Sequence, residues 1–173
     1  MLLPHDQAMR FIHGYTAVLQ QVLNASSTPA SDSLINDLAA ARALAKDKPT
    51  LIDHAITELA VQGRAVDPDV AEAIRTVRVA QWIYLRHSKT RAIFLDQDAE
   101  NAYAVKALTT PLDQVVDAPP FLFETGVFDY LSHYVCDGII ANPIMLGPGY
   151  QADFNAAYAD IRKAGRFHAK PVA

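Results

Sequence analysis

Between Ala73 and Leu95 the chain carries Arg75, Arg78, Arg86, Lys89 and Arg91 and no acidic residue, although the whole sequence holds 19 Asp and Glu against 15 Lys and Arg. Cations crowded without counter-charges suit an anion, because each N–H donor of a guanidinium or ammonium group makes a strengthened hydrogen bond to a charged oxygen. Trp82 and Tyr84 interleave with them, and aromatic rings beside cations are what stacked ligands use. If the runs around them are strands joined by hairpins, antiparallel partners keep a constant index sum. Arg86 then faces Arg91, Tyr84 faces Ile93 and Trp82 faces Leu95. The next pair sets Leu95 against Ala102, Ile93 against Ala104 and Arg91 against Lys106. Arg86, Arg91 and Lys106 fall in one cross-strand row, where like charges directly opposite cost up to ~1 kcal/mol per pair. An anion would offset that cost. The candidate ligand-binding set is therefore Arg86, Arg91, Lys106, Trp82 and Tyr84, and the expected partner is an anionic small molecule or an acidic protein. The competing account places Trp82 and Tyr84 in the core and leaves the cations at a wet sheet edge.

Other chemistry-bearing groups are weaker. His133, Cys136 and Asp137 invite a Cys-His nucleophile. On a strand, however, 133 and 136 face opposite sides, and 133 and 137 lie ~13 Å apart. Cys136 reads as a buried structural cysteine. Asp96, Asp98 and Glu100 resemble the start of a calcium loop, but Asn101 and Ala107 stand where its glycine and bidentate glutamate belong. The histidines at 5, 13, 54, 87, 133 and 168 show no metal-binding spacing. Glu124, Asp129 and Asp137 could supply an acid and a base across a hairpin, yet nothing in the pattern places them in a pocket, so charged strand faces are the better account. Gly147-Pro148-Gly149 lacks the phosphate-loop pattern, and no GxSxG or GxGxxG occurs. No cofactor is indicated.

The elements that must position the basic row follow from periodicity. Gln81–His87, Thr90–Asp96 and Asn101–Leu108 are strand-length runs, the first two rich in β-branched and aromatic residues. Before them, Ala8, Phe11, Ile12, Tyr15, Val18, Leu19, Val22 and Leu23 recur at helical spacing over His5–Leu23. Asp32 or Ser33 caps a second helix to about Ala45, with Leu34, Ile35, Leu38, Ala41 and Leu44 inward. Pro49 and Thr50 open a third, with Leu51, Ile52, Ala55, Ile56 and Leu59 on its apolar face and Gly63 beyond its end. Asp67-Pro68 opens a fourth, burying Val70, Ile74 and Val77. Further strands are expected over Phe121–Asp129, His133–Ile140 and Ile144–Leu146. A last helix, Gln151–Ala164, turns Phe154, Ala157, Tyr158 and Ile161 to one side and stops at Gly165.

Helices first, strands second and one helix last predict an α+β domain: N-terminal helices packed on an antiparallel β-sheet formed by the C-terminal half, with one C-terminal helix. An all-helical bundle is the competing fold. A length of 173 residues fits one domain, 1–173, with a helical region over 1–78, a sheet region over 79–146 and a C-terminal helix over 150–165. With 51% hydrophobic and 20% charged residues it should fold as a soluble globule. The net charge of −4 argues against nucleic acid over the whole surface. One cysteine excludes an internal disulfide and fits a reducing compartment. The start MLLPHDQAMRF reads as no signal peptide, and no window reaches the ~18 to 20 apolar residues of a membrane span, so the expected location is cytoplasmic. Three readings follow. The first is a non-catalytic binding or interaction domain, open to homo-oligomer formation, that offers the basic row to an anion. The second is a small enzyme assembled from distant groups such as His87, His133 and Glu124. A nucleic-acid binder ranks last.

Overall fold

The apolar stripe of the first helix meets its complement in the strands. In the computed structural model, which describes residues 2–26, 31, 33–88, 90–116 and 119–171, α1 (His5–Ala25) buries Ala8, Phe11, Tyr15, Val18, Leu19, Val22 and Leu23. Three further helices follow: α2 (Leu34–Asp47), α3 (Thr50–Val61) and α4 (Pro68–Arg75). The chain chemistry at their ends works as the sequence indicates. Asp67 accepts from the amides of Asp69 at 3.0 Å and Val70 at 3.4 Å, which caps α4. Past α3, Gly63 takes φ +72°, and Arg64 N–H closes back on the Leu59 carbonyl at 2.8 Å. Of the two candidate caps of α2, Ser33 occupies the cap position but its side chain accepts no capping hydrogen bond, and Asp32 lies outside the described residues.

The helix α2 departs from its expected face. Leu34 and Ile35 are exposed, while Ala41, Arg42 and Ala45 are buried. Its contact with the body lies toward its C-terminal half, where a charged side chain points inward.

The strands are β1 (Arg78–His87), β2 (Ala92–Asp96), β3 (Ala102–Lys106), β4 (Phe121–Tyr130), β5 (His133–Cys136), β6 (Ala141–Met145) and β7 (Phe167–His168), with α5 (Pro148–Lys163) between the last two. The class is α+β, as the order of elements predicts, but the seven-stranded sheet is mixed rather than purely antiparallel. Its order β1-β2-β3-β5-β4 is closed by pairing of β4 with β1. Strand β3 runs parallel to both β5 and β7. Nothing in local periodicity signals this, because β3 and β5 are separated by all of β4.

Closure divides the strand residues into two sets. Trp82, Tyr84, Phe94, Val105, Phe123, Val127, Tyr134 and Cys136 form one core, inside the ring. Their neighbours point outward into two others. On one side α1 covers β4 and β5, with Phe11 stacked on Phe128 at 4.0 Å. On the other, Tyr158 and Ile161 of α5 cover Ile83, Leu85, Ile93, Leu95 and Ala102. Helices thus lie against the ring from two directions. Among the described residues no helix is long and apolar enough to cross a membrane.

The expected register holds for β2 with β3, where Leu95 faces Ala102 and Ile93 faces Ala104. For β1 with β2 it fails by one residue at Trp82 and Tyr84 and by two at Arg86. Tyr84 faces Phe94, Trp82 faces Asp96, and after an irregularity between Tyr84 and Arg86 the latter faces Ile93. The connecting loop is Ser88 to Arg91, with Ser88 N–H donating to Arg91 O at 2.8 Å, so Arg91 sits in the turn instead of opposite Arg86.

Candidate functional site

The outer wall that carries α5 also carries the basic row. The guanidinium of Arg86 lies over the Tyr158 ring, 4.8 Å from its centroid, and Arg162 approaches the same ring at 6.0 Å. Arg86, Arg91 and Arg162 line a cavity of about 470 Å³ together with Ile93 and Phe167. Arg91 also walls an adjoining cavity of about 230 Å³ with Lys106, His133 and Lys170. No carboxylate lines either one. Among the described residues, none of Arg86, Arg91, Arg162, Lys106 and Lys170 has an ion-pair partner. Burial lowers the pKa of Lys106. Burial, and then the charges of Lys106 and Lys170, lower that of His133. The groove already disfavours more positive charge.

The structure brings together three of the five sequence candidates and separates the other two. Arg86, Arg91 and Lys106 border the joined cavities. Trp82 and Tyr84 do not share their face, because the irregularity after Tyr84 turns Arg86 outward while both rings stay inside the ring of strands. Trp82 is 3% and Tyr84 0% exposed. The Trp82 indole N–H donates to Thr125 O at 3.1 Å, and Tyr84 OH meets His87 Nδ1 at 2.8 Å. Neither ring offers a face to a ligand in the groove. Of the remaining cations in the basic segment, Arg75 pairs with Asp53 and Arg78 with Asp129. Lys89 lies outside the described residues. Arg162 and Lys170 were not anticipated: they come from the C-terminal helix and the segment after β7, about 70 residues or more from Arg91 in sequence.

The residues of the enzymatic alternative are not gathered. The His87 ring is held by Tyr84 on Nδ1 and by Asp113 at 3.5 Å on Nε2. Although Ser88 lines the same cavity as His87 and Asp113, no imidazole nitrogen is left to activate its hydroxyl. His133 stands in the cationic groove. Glu124 instead meets Lys46 at 2.9 Å and Arg42 at 3.7 Å, on the helical side. Asp96 accepts from the Glu100 and Asn101 amides, which accounts for the acidic string as a turn. No group of three metal-ligating side chains occurs among the described residues.

Sequence reasoning missed a buried polar network. Arg42, 2% exposed, donates to both oxygens of Asp137 at 3.2 and 3.0 Å and to Ile139 O at 2.6 Å. Asp137 also accepts from Thr125 Oγ1 at 2.9 Å, from the Ile139 amide at 2.9 Å and from Tyr15 OH at 3.4 Å. Burial pushes the Asp137 carboxyl above its ordinary value, and Arg42 pulls it back. The signal was present: Arg42 follows Leu38 by one helical repeat, on the flank of the inward stripe, where a cation requires a partner. A Cβ on Gly126 would run into Asp137 Oδ2, so the carboxylate also explains the glycine in β4. Cys136 is 1% exposed, and burial pushes its thiol up to about 12, as expected of an inert core cysteine.

A cavity of about 300 Å³ lies on this side too, between α1, α2 and residues 107–115, walled by Ile12, Leu38, Leu112 and Ile139. Its one charged lining group is Asp137, whose oxygens are already occupied.

The sequence matches no protein-family model and no curated protein, and the fold matches no solved structure. The functional reading rests on the groove.

Proposed function

We propose that this chain is a non-catalytic binding domain whose partner is anionic and docks in the groove between α5 and the outer wall of β1, β2 and β3. One observation carries the reading. Five cations border two joined cavities without a carboxylate among them, in a chain whose acidic residues outnumber its basic ones. Elsewhere in the same molecule six cations, Arg10, Arg42, Lys46, Arg75, Arg78 and Lys163, pair with carboxylates. The other cations without an ion pair among the described residues, Lys48, Arg64 and Arg166, line neither cavity. Unrelieved repulsion among like charges lowers the stability of the free protein, and an arriving anion removes it. Arg supplies a planar fork that grips two oxygens at once, and Lys adds a point charge, a combination suited to phosphate, sulfate or carboxylate groups.

The test is thermal unfolding with and without a multivalent anion, pyrophosphate, at low and high salt. An anion that binds only the folded state stabilises it by about 2.7 kcal/mol at a hundredfold excess over its dissociation constant. The expected result is a rise in melting temperature that shrinks with added sodium chloride and disappears in Arg91→Glu. A melting temperature indifferent to the anion, or an Arg91→Glu protein that responds like the original, overturns the reading.

A further inference from the structure

Resting on that reading, we infer that the groove's ligand is a linear chain of phosphate groups laid across the strands, with Arg91 as the shared centre. The geometry sets a length. Arg86 leaves β1, Arg91 the turn before β2, Lys106 β3 and His133 β5, and these strands are neighbours in that order. Three inter-strand spacings make about 14 Å. A single phosphate is far smaller than either cavity and leaves most of the bordering cations unmet. A ligand that touches both must extend across the strands, because the cavities adjoin in that direction, through Arg91.

The composition of the walls selects among extended anions. An acidic peptide presents a carboxylate to one face only every second residue, about 6.7 Å apart, which gives two or three charges over the span. It also brings backbone amides and carbonyls that need partners, and the lining offers few neutral polar side chains, the hydroxyls of Ser88, Thr90 and Tyr158 and the imidazoles of His87 and His133. Single-stranded nucleic acid needs exposed aromatic faces for its bases. Tyr158 is buried, carries Arg86 over its ring and meets the Phe167 ring edge-on at 5.8 Å. Apart from Tyr158 and Phe167, which pack on each other, the rings lining the groove are the imidazoles of His87 and His133, so no series of open aromatic platforms runs along it. A phosphate chain carries a charge on every unit, needs no stacking platform, and makes full use of three arginines and two lysines.

Calorimetric titration of the intact protein with orthophosphate, tripolyphosphate and longer polyphosphate, beside polyglutamate and a single-stranded oligonucleotide of equal charge, tests this. Affinity is expected to climb with phosphate number and to level off once the chain spans the groove. Lys106→Glu should weaken the long chain by about tenfold while sparing orthophosphate, whereas Arg91→Glu should weaken both. Circular dichroism confirms that the variants, all at accessible positions, remain folded. Orthophosphate binding as tightly as the long chain would sink the extended ligand and leave the anion site standing. Stronger binding of polyglutamate or of the oligonucleotide would also overturn the phosphate chain, in favour of an acidic protein or a nucleic acid. Binding of none of these probes removes both this inference and the reading beneath it.

Discussion

Two arginines in this molecule are treated in opposite ways. Arg42 is enclosed on the helical side of the ring of strands and gives its guanidinium to Asp137, Glu124 and the Ile139 carbonyl. Arg91, on the far wall, lies among Arg86, Arg162, Lys106 and Lys170 with no carboxylate in reach. A buried charge must be matched within the chain, since leaving it bare costs several kcal/mol. A charge open to water can wait for a partner from outside at the cost of a small repulsion. Internal satisfaction therefore marks the first as architecture, and its absence is why binding is proposed at the second. The same contrast explains why Asp137, with its four kinds of donor, is not read as a catalytic acid despite its burial.

The comparison breaks most visibly at the buried pair. Asp137→Asn leaves Arg42 enclosed with only the longer contact to Glu124 as counter-charge and should cost about 3 kcal/mol of stability. Urea unfolding of the variant measures it. The double change Arg42→Met with Asp137→Leu should recover most of that loss, because replacing both members of a buried ion pair with apolar groups is close to neutral. A double variant no more stable than Asp137→Asn would show that the Thr125, Tyr15 and Ile139 contacts carry the network. Neither change should alter anion binding, since the pair and the groove lie on opposite sides of the strands.

At the groove the sign reverses. Arg91→Gln removes a repelling charge, so the free protein should become slightly more stable at low salt, by a few tenths of a kcal/mol, about the size of an exposed charge pair. The gain should fade as salt screens the remaining cations. Chemical unfolding at two ionic strengths reads it. A clear loss of stability would mean that Arg91 makes a structural contact, and the distinction between the two regions would weaken.

How much of this was legible depended on whether the relevant partner was near in sequence. The helix α1 declared itself through its stripe, and α4 through Asp67 and Pro68, because caps and periodicity are local. The β2–β3 register followed from one turn. The β1–β2 register did not, since one irregularity after Tyr84 moves every later side chain to the other face. The parallel pairing of β3 with β5 and the closure of β1 on β4 depend on contacts across most of the sheet region. Half the groove was visible as Arg86, Arg91 and Lys106. Arg162 and Lys170 belong to it only because α5 and β7 fold back over β3. Arg42 and Asp137 are 95 residues apart, and each alone resembles a surface charge.

The finest test of the groove is its histidine. His133 lines the second cavity with Arg91, Lys106 and Lys170 and no acidic residue. Its pKa lies below 6.5 in the folded protein, through burial first and then the two lysines. In the unfolded chain it returns to about 6.5. As pH falls through that value the unfolded state takes up the proton more readily, so the free protein should lose stability on acidification. A bound anion reverses the balance, because it offsets Lys106 and Lys170 and favours the imidazolium. Anion binding should therefore tighten between roughly pH 7.5 and 5.5, the range in which histidine changes charge. Sulfate, whose own charge is constant there, is the probe, and its affinity is read calorimetrically at each pH. His133→Asn should flatten the dependence while leaving binding at the upper pH unchanged. An unaltered slope in that variant would place the titrating group elsewhere and remove His133 from the groove's chemistry.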